Sequence, residues 1–319
     1  LSAPLDEPPR QRQLSTAIDK HTLEQFKQEM EGNPSHRAHL ELTSTDRAGQ
    51  WLHTVPSINT HSNIEPILFK TMIQRWLRAP ILEEPFTCPL CEGVIDIHGD
   101  HCLVCPGGGD RTKRHNLLRN AVFHECASAA LSPELEKPGL LRLRPSIGAL
   151  PEDGIRRDNP EARRPADIYL PRWRSGVPVA LDFAVTSGLR SSVVTAAARD
   201  GSSATRLYED HKSSYLDTRA QCINEGFNFT PMVAEAVGGG WGAPAQKVFL
   251  EIAKTKSNLT GDSKNRTLGQ IHQNLGIILH RENARALLRR CAFMQGQLPT
   301  EVLSSAALLQ GAVTDEHGF

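Results

Sequence analysis

Four of the seven cysteines of this 319-residue chain, Cys88, Cys91, Cys102 and Cys105, fall inside the short segment CPLCEGVIDIHGDHCLVC. The other three, Cys126, Cys222 and Cys291, are scattered singly. An odd, clustered count is unlike a secreted disulfide framework and predicts a reduced intracellular protein with a metal site. A C-x2-C pair presents two thiolates to one tetrahedral ion, and a second pair three or four residues apart completes a zinc site. Three closures satisfy the spacing: His101 with Cys105, Cys102 with Cys105, or His98 with Cys102. The plain alternative is a chance cluster of buried thiols. A redox role fits less well, because the pair does not follow a strand and open a long helix. A segment this short has little core of its own, so the expected role of a zinc ion is structural: binding it supplies folding energy.

The rest of the chain sets bounds. Lys plus Arg and Asp plus Glu are both 36, so the formal net charge is zero. That excludes a strongly basic coat over the whole surface, but not a local basic patch. No run approaches the ~20 apolar residues of a membrane-spanning helix. The opening LSAPLDEPPRQRQ lacks the order of a signal peptide. It also lacks an initiator Met, as expected of a piece of a longer protein.

Periodicity predicts a polar lead-in over 1–20 and a short amphipathic helix over 21–33, carried by Leu23, Phe26 and Met30. It predicts another helix over 64–79, stopped by Pro80. After the cysteine cluster and the turn PGGGD, KRHNLLRNAVFHECASAAL (113–131) reads as an amphipathic helix. A short strand is expected around Leu140–Leu143. ADIYL (166–170) and PVALDFAVT (178–186) read as strands around a turn, and FTPMVAEAV (229–237) as a third. Helices are expected over 204–224 and 243–254, and a loop then helix over 256–295. Strands alternating with helices predict an α/β sandwich around a mixed sheet.

Within the second strand, Val179, Leu181, Phe183 and Val185 point one way and Ala180, Asp182, Ala184 and Thr186 the other, because side chains alternate. Asp167 opens the preceding strand, so a hairpin can set the two carboxylates side by side. Two carboxylates among apolar strand residues are costly unless a cation joins them. Taken alone, Asp167 also reads as a solvated strand-start acid and Asp182 as the solvated face of an edge strand, although Asp182, between Leu181 and Phe183, is the odder of the two. Tyr208, Lys212 and Tyr215 share one face of the next helix. Lys113, Arg114, His115 and Arg119 form a local basic patch, fit for phosphates or simply a charged helix start.

Together, CPLCEGVIDIHGDHCLVC, GGGDRTKRHNLLR, RRPADIYLPRW and VALDFAVTS resemble the restriction-like endonuclease region of certain non-LTR retrotransposons, a PD-(D/E)xK-type nuclease behind a CCHC zinc knuckle. The likeness covers roughly 86–240, and AGQWLHTVPS (48–57) resembles the linker upstream in such proteins. The resemblance implies a restriction-endonuclease-like core, a mixed sheet flanked by helices, preceded by a small zinc knuckle and a helical linker. Its boundaries would be a linker over 1–85, a knuckle over 86–110, a core over 111–255, and a helical extension and tail over 256–319. It implies Cys88, Cys91, His101 and Cys105 as zinc ligands, with Cys102 spare. It implies Asp167 and Asp182 as magnesium ligands and catalytic acids. Pro165-Ala166-Asp167 is one residue longer than the family's PD dipeptide. Ala184 stands where the xK lysine is expected, and Lys212 from the next helix is the fitting replacement. Arg114, His115 and Asn116 match the family's Arg-His-Asn signature and, with Arg119, would hold nucleic acid.

The expectation is therefore a magnesium-dependent DNA endonuclease of a retroelement, nicking target DNA to prime reverse transcription. Its partners would be duplex DNA and element RNA, with no membrane and with the polymerase upstream in the same polyprotein. Its place would be intracellular and nuclear. The alternatives are a catalytically inactive zinc-knuckle nucleic-acid binder and a structural scaffold.

Overall fold

The computed structural model describes residues 10–57, 62–141 and 165–294. It is a mixed α/β protein, mostly helical, around a small mixed sheet. The helices are α1 (Gln11–Glu29), α2 (Pro34–Thr43), α3 (Pro66–Trp76), α4 (Asp110–Ser128), α5 (Val194–Ala197), α6 (Ser203–Ser214), α7 (Thr218–Asn224), α8 (Ala243–Thr260) and α9 (Lys264–Met294). The strands β1 (Phe86–Thr87) and β2 (Val94–Ile95) form a separate two-stranded ribbon. The main sheet is β3 (Glu134–Leu135), β4 (Ile168–Leu170), β5 (Val179–Thr186) and β6 (Asn228–Glu235), in that spatial order. β3, β4 and β5 pair antiparallel, and β6 joins β5 in parallel after the helical crossover through α5–α7. Parallel neighbours need such a crossover, since no tight turn can join them.

The alternation read in β5 decides the layers. Val179, Leu181 and Phe183 enter the main core with Leu118 and Val122 of α4, Phe249 and Ile252 of α8, and Leu268 and Leu275 of α9. On the opposite face Ala180 packs with Tyr169, Cys222 and Phe229. Further along that face, Ala38 and Leu42 of α2 and Ala197 of α5 cover Ala236 and Val237. The sheet is thus flanked by helices on both sides.

Several boundaries differ from those expected. Residues 11–20 are not a loose lead-in but the first half of α1, which buries none of its residues. The strand expected around 140–143 forms instead at Glu134–Leu135, pairing with β4. Leu140 and Leu141 lie in a bend, while 142 and 143 fall outside the described residues. The tail 296–319 also lies outside them. The helix expected over 204–224 breaks after Ser214, where Leu216 and Asp217 adopt positive φ (54° and 53°). α4 starts three residues earlier than its periodicity suggests. Gly108 and Gly109 at φ 77° and 73° let the chain turn sharply from the cysteine cluster into it.

The long α9 is no mere extension. Ile277 and Ala284 pack with Trp51, Leu68 and Met72 of the N-terminal segment. Ala286 and Leu287 pack with Ile95, Cys88, Cys102 and Cys105. One helix therefore supports the linker, the cysteine cluster and the sheet together. Among the described residues, no helix is long and apolar enough to cross a membrane.

Candidate metal centre and carboxylate cluster

The β1–β2 ribbon and the turn after it close the cysteine cluster. Cys88, Cys91, His101 and Cys105 present ligand atoms that all lie within 4.8 Å of one another. Cys91 Sγ is 3.1 Å from His101 Nε2 and 3.3 Å from Cys105 Sγ, and Cys88 Sγ is 3.8 Å from Cys105 Sγ. Tetrahedral zinc with Zn–S bonds of ~2.3 Å sets its sulfurs about 3.8 Å apart, so the spacing fits that ion. Of the three closures open to the sequence, the fold brings together the one through His101. Burial, then the Arg290 charge, holds His101 below the usual imidazole range, which keeps it neutral as a ligand must be. Gly93 is required for this approach, since a Cβ there would stand 2.5 Å from His101 Cε1. Cys102 points away into the packing against α9, and burial pushes its thiol up to about 12.

The second cluster lies where β4, β5, α4 and α6 meet. Asp167 donates its N–H to Leu181 O (2.9 Å), which sets it beside Asp182 across the β4–β5 pair. Its Oδ2 accepts from Phe183 N–H at 2.6 Å and lies 3.2 Å from His115 Nε2. His115 Nδ1 is in turn 3.2 Å from Asn116 Oδ1. Lys212 reaches over from α6, with Nζ 3.0 and 2.9 Å from the two oxygens of Asp182. The fold thus gathers Asp167, Asp182, Lys212 and His115 in one place.

The two acids are pushed apart in basicity. Burial alone would raise Asp167, but the hydrogen bond and charge of His115, with Phe183 N–H and Lys212, hold it below the usual carboxylate range. Asp182 is raised to about 6, chiefly by burial and further by the charge of Asp167, against the pull of Lys212. One carboxylate stays ionised while its neighbour is poised to exchange its proton.

Next to His115 and Lys212 opens a cleft of about 380 Å³, lined also by Arg111 and Thr112 of α4, Phe183 and Ala184 of β5, and Tyr208 of α6, with neither Asp167 nor Asp182 in its lining. Ala184 borders this space. Tyr215 does not continue the helix face of Tyr208 and Lys212 as expected, because α6 ends one residue earlier.

The basic patch is rearranged relative to the sequence reading. Arg114 is 4% exposed, donating to Asn283 Oδ1 (2.5 Å) and Leu103 O (2.8 Å), so it fastens α4 to α9 and to the cysteine turn. Arg119 pairs with Glu136 at 2.5 Å and bonds Asn120, linking α4 to the segment after β3. Arg111 is exposed and Lys113 half-buried. The sequence reading also missed α9 as a participant. Its signal was the run of charged and amide residues Glu282, Asn283, Arg285 and Arg290, all buried in this helix.

A scan of protein-family models and a search of curated proteins each returned no match for this chain.

Proposed function

We propose that this protein is a metal-dependent DNA endonuclease of the retroelement type, with a structural zinc in its cysteine cluster and magnesium at its acidic pair. The observation that carries this reading is the convergence of Asp167 and Asp182 on the β4–β5 pair with Lys212 entering from α6. Asp167 and Asp182 would hold the magnesium, which would supply neutralisation of the scissile phosphate and a more acidic attacking water. Asp167, kept ionised by His115, provides a fixed negative oxygen. Asp182 provides the second once it loses its proton. Lys212 is held within reach of the same space, where its ammonium can leave Asp182 for the charge that develops on the phosphate. Thr112 and Arg111, at the start of α4, line the route by which a backbone would enter. In the retroelement setting, the nick primes copying of element RNA by a polymerase carried upstream, and the site of action is nuclear.

The rival is a nucleic-acid binder that has lost catalysis. It draws on Ala184 in place of the family's lysine, and on the ion pair that already occupies Asp182. A supercoiled-plasmid nicking assay separates the two. Magnesium-dependent nicking that disappears in Asp182→Asn supports the nuclease. DNA binding with no nicking at any magnesium concentration supports the binder.

A further inference from the structure

Arg290 is the largest side chain that the fold buries completely, at 0% exposure. A guanidinium in such a place needs compensating groups on every side. Its Nη1 donates to Asp110 Oδ2 (2.7 Å) and Ala286 O (2.6 Å), and its Nη2 to Gly107 O (3.2 Å). Its buried Nε finds no hydrogen-bond partner among the described residues. The bond to Gly107 O, two residues past Cys105, sets the guanidinium beside the cysteine cluster, where its charge acts on the thiols of Cys88 and Cys105. Arg289, one residue earlier, donates to the other oxygen of Asp110.

Three thiolates and one neutral imidazole around a dication leave one negative charge in excess. Cys88 and Cys105 are almost fully buried, so that charge is poorly solvated by water. Asp110, two residues before Thr112 of the cleft wall, brings a second. Arg289 and Arg290 bring two positive charges to the same spot, and the four groups sum to neutrality.

We propose that Arg290 is the counter-cation of the metal–thiolate centre and a positioning residue for it, binding the loaded centre to α9 and to the first residue of α4. This rests on zinc occupying the cysteine cluster. Outer partners of metal ligands are worth typically 10–100-fold in metal affinity. Donation to a thiolate also lowers the energy of its lone pairs, so it shows in the spectrum of a substituted metal.

The test uses the full chain loaded with zinc or cobalt(II), with affinity read by competition against a chromogenic chelator. Arg290→Met is expected to bind zinc about 10–100-fold more weakly. Its sulfur-to-cobalt charge-transfer band should persist, because the ligands are intact, but move to lower energy. Asp110→Asn removes the carboxylate and leaves the guanidinium to the sulfurs, so it should hold zinc at least as tightly as the unaltered chain. Arg290→Lys keeps the charge without the fork and serves if the Met variant does not fold. It should retain most of the affinity with a shifted band. An unchanged band in the Lys variant, or equal losses of affinity in Asp110→Asn and Arg290→Met, would reduce Arg290 to a packing residue and overturn the proposal. An unaltered chain that takes up no zinc would overturn the metal centre itself, and is told apart by that first titration.

Discussion

His115 Nε2 lies 3.2 Å from Asp167 Oδ2, joining the first turns of α4 to the start of β4. Burial alone would lower the imidazole, but Asp167 outweighs it and raises His115 above its ordinary 6.5. Asp167 is held below 3.8. A raised imidazole stabilises the fold fully below its unfolded value, and that contribution is lost as pH rises through the folded value. A lowered carboxylate stabilises above its unfolded value, and that is lost as pH falls through the folded one. The pair is therefore strongest between about pH 4 and 6.5. His115→Gln should cost on the order of 1 kcal/mol near pH 6 and much less near pH 8. Urea unfolding of both proteins at the two pH values checks this. An equal loss at both would show that His115 acts uncharged.

Asp182 differs from Asp167 in the sign of its shift, and under the proposed nuclease function that sets the pH dependence of cleavage. With Asp182 raised to about 6, the oxygens needed for a cation are protonated below that pH. Nicking at fixed, subsaturating magnesium should fall by about tenfold per pH unit below it and level off above. More magnesium should move the inflection to lower pH, because the cation competes with the proton. Asp182→Asn should remove magnesium-dependent nicking. Its melting temperature at pH 8 should be equal or higher, since a raised carboxylate opposes folding once ionised. Lys212→Ala should slow turnover by about 10²–10³-fold while magnesium binding persists. If Asp182→Asn instead unfolds the chain, the acid is a structural partner of Lys212.

What could be read from the chain follows from how local each signal is. The face of β5 that carries Asp182 is visible because side chains alternate over eight residues. The meeting of Asp182 with Lys212 was reachable only through the resemblance, since thirty residues and the short helix α5 separate them. Arg114 and Arg119 read as surface cations because their partners, Asn283 and Glu136, lie far along the chain or in a segment without periodicity. The strand at Glu134–Leu135 has two residues and no alternation to detect. α9 was read as an extension because it is polar along most of its length. Its buried Asn283 and Arg290 bond groups that come from α4, from Ala236 just after β6 and from the cysteine turn, all distant in the chain.

The rearranged basic patch changes which side chains should govern DNA affinity. Arg119 is committed to Glu136, so Arg119→Ala should lower stability by about 1 kcal/mol and leave the salt dependence of DNA binding alone. Arg111 is exposed at the cleft. Arg111→Ala should weaken binding to all sequences alike and reduce the slope of log affinity against log salt by about one. Fluorescence anisotropy across a salt series measures both. A reduced slope in Arg119→Ala, with none in Arg111→Ala, would mean that DNA draws Arg119 away from Glu136.

Cys102 and Cys105 are three residues apart and should respond in opposite ways to the same change. Cys105 Sγ stands 3.3 and 3.8 Å from two other sulfurs, whereas Cys102 packs against α9 with its thiol pushed up to about 12 by burial. A thiol that hard to ionise is a poor ligand, because zinc binds the thiolate. Cys105→Ser should therefore lower the bound zinc well below one ion per chain and lower stability with it, since the closed site contributes folding energy. Cys102→Ser should keep a full complement of zinc. Its cost is a hydroxyl placed in an apolar site, about 1–3 kcal/mol. Elemental analysis of the two purified variants, with thermal unfolding alongside, decides the matter. Zinc lost from Cys102→Ser and kept in His101→Ala would make the centre a four-cysteine one, with His101 only its neighbour.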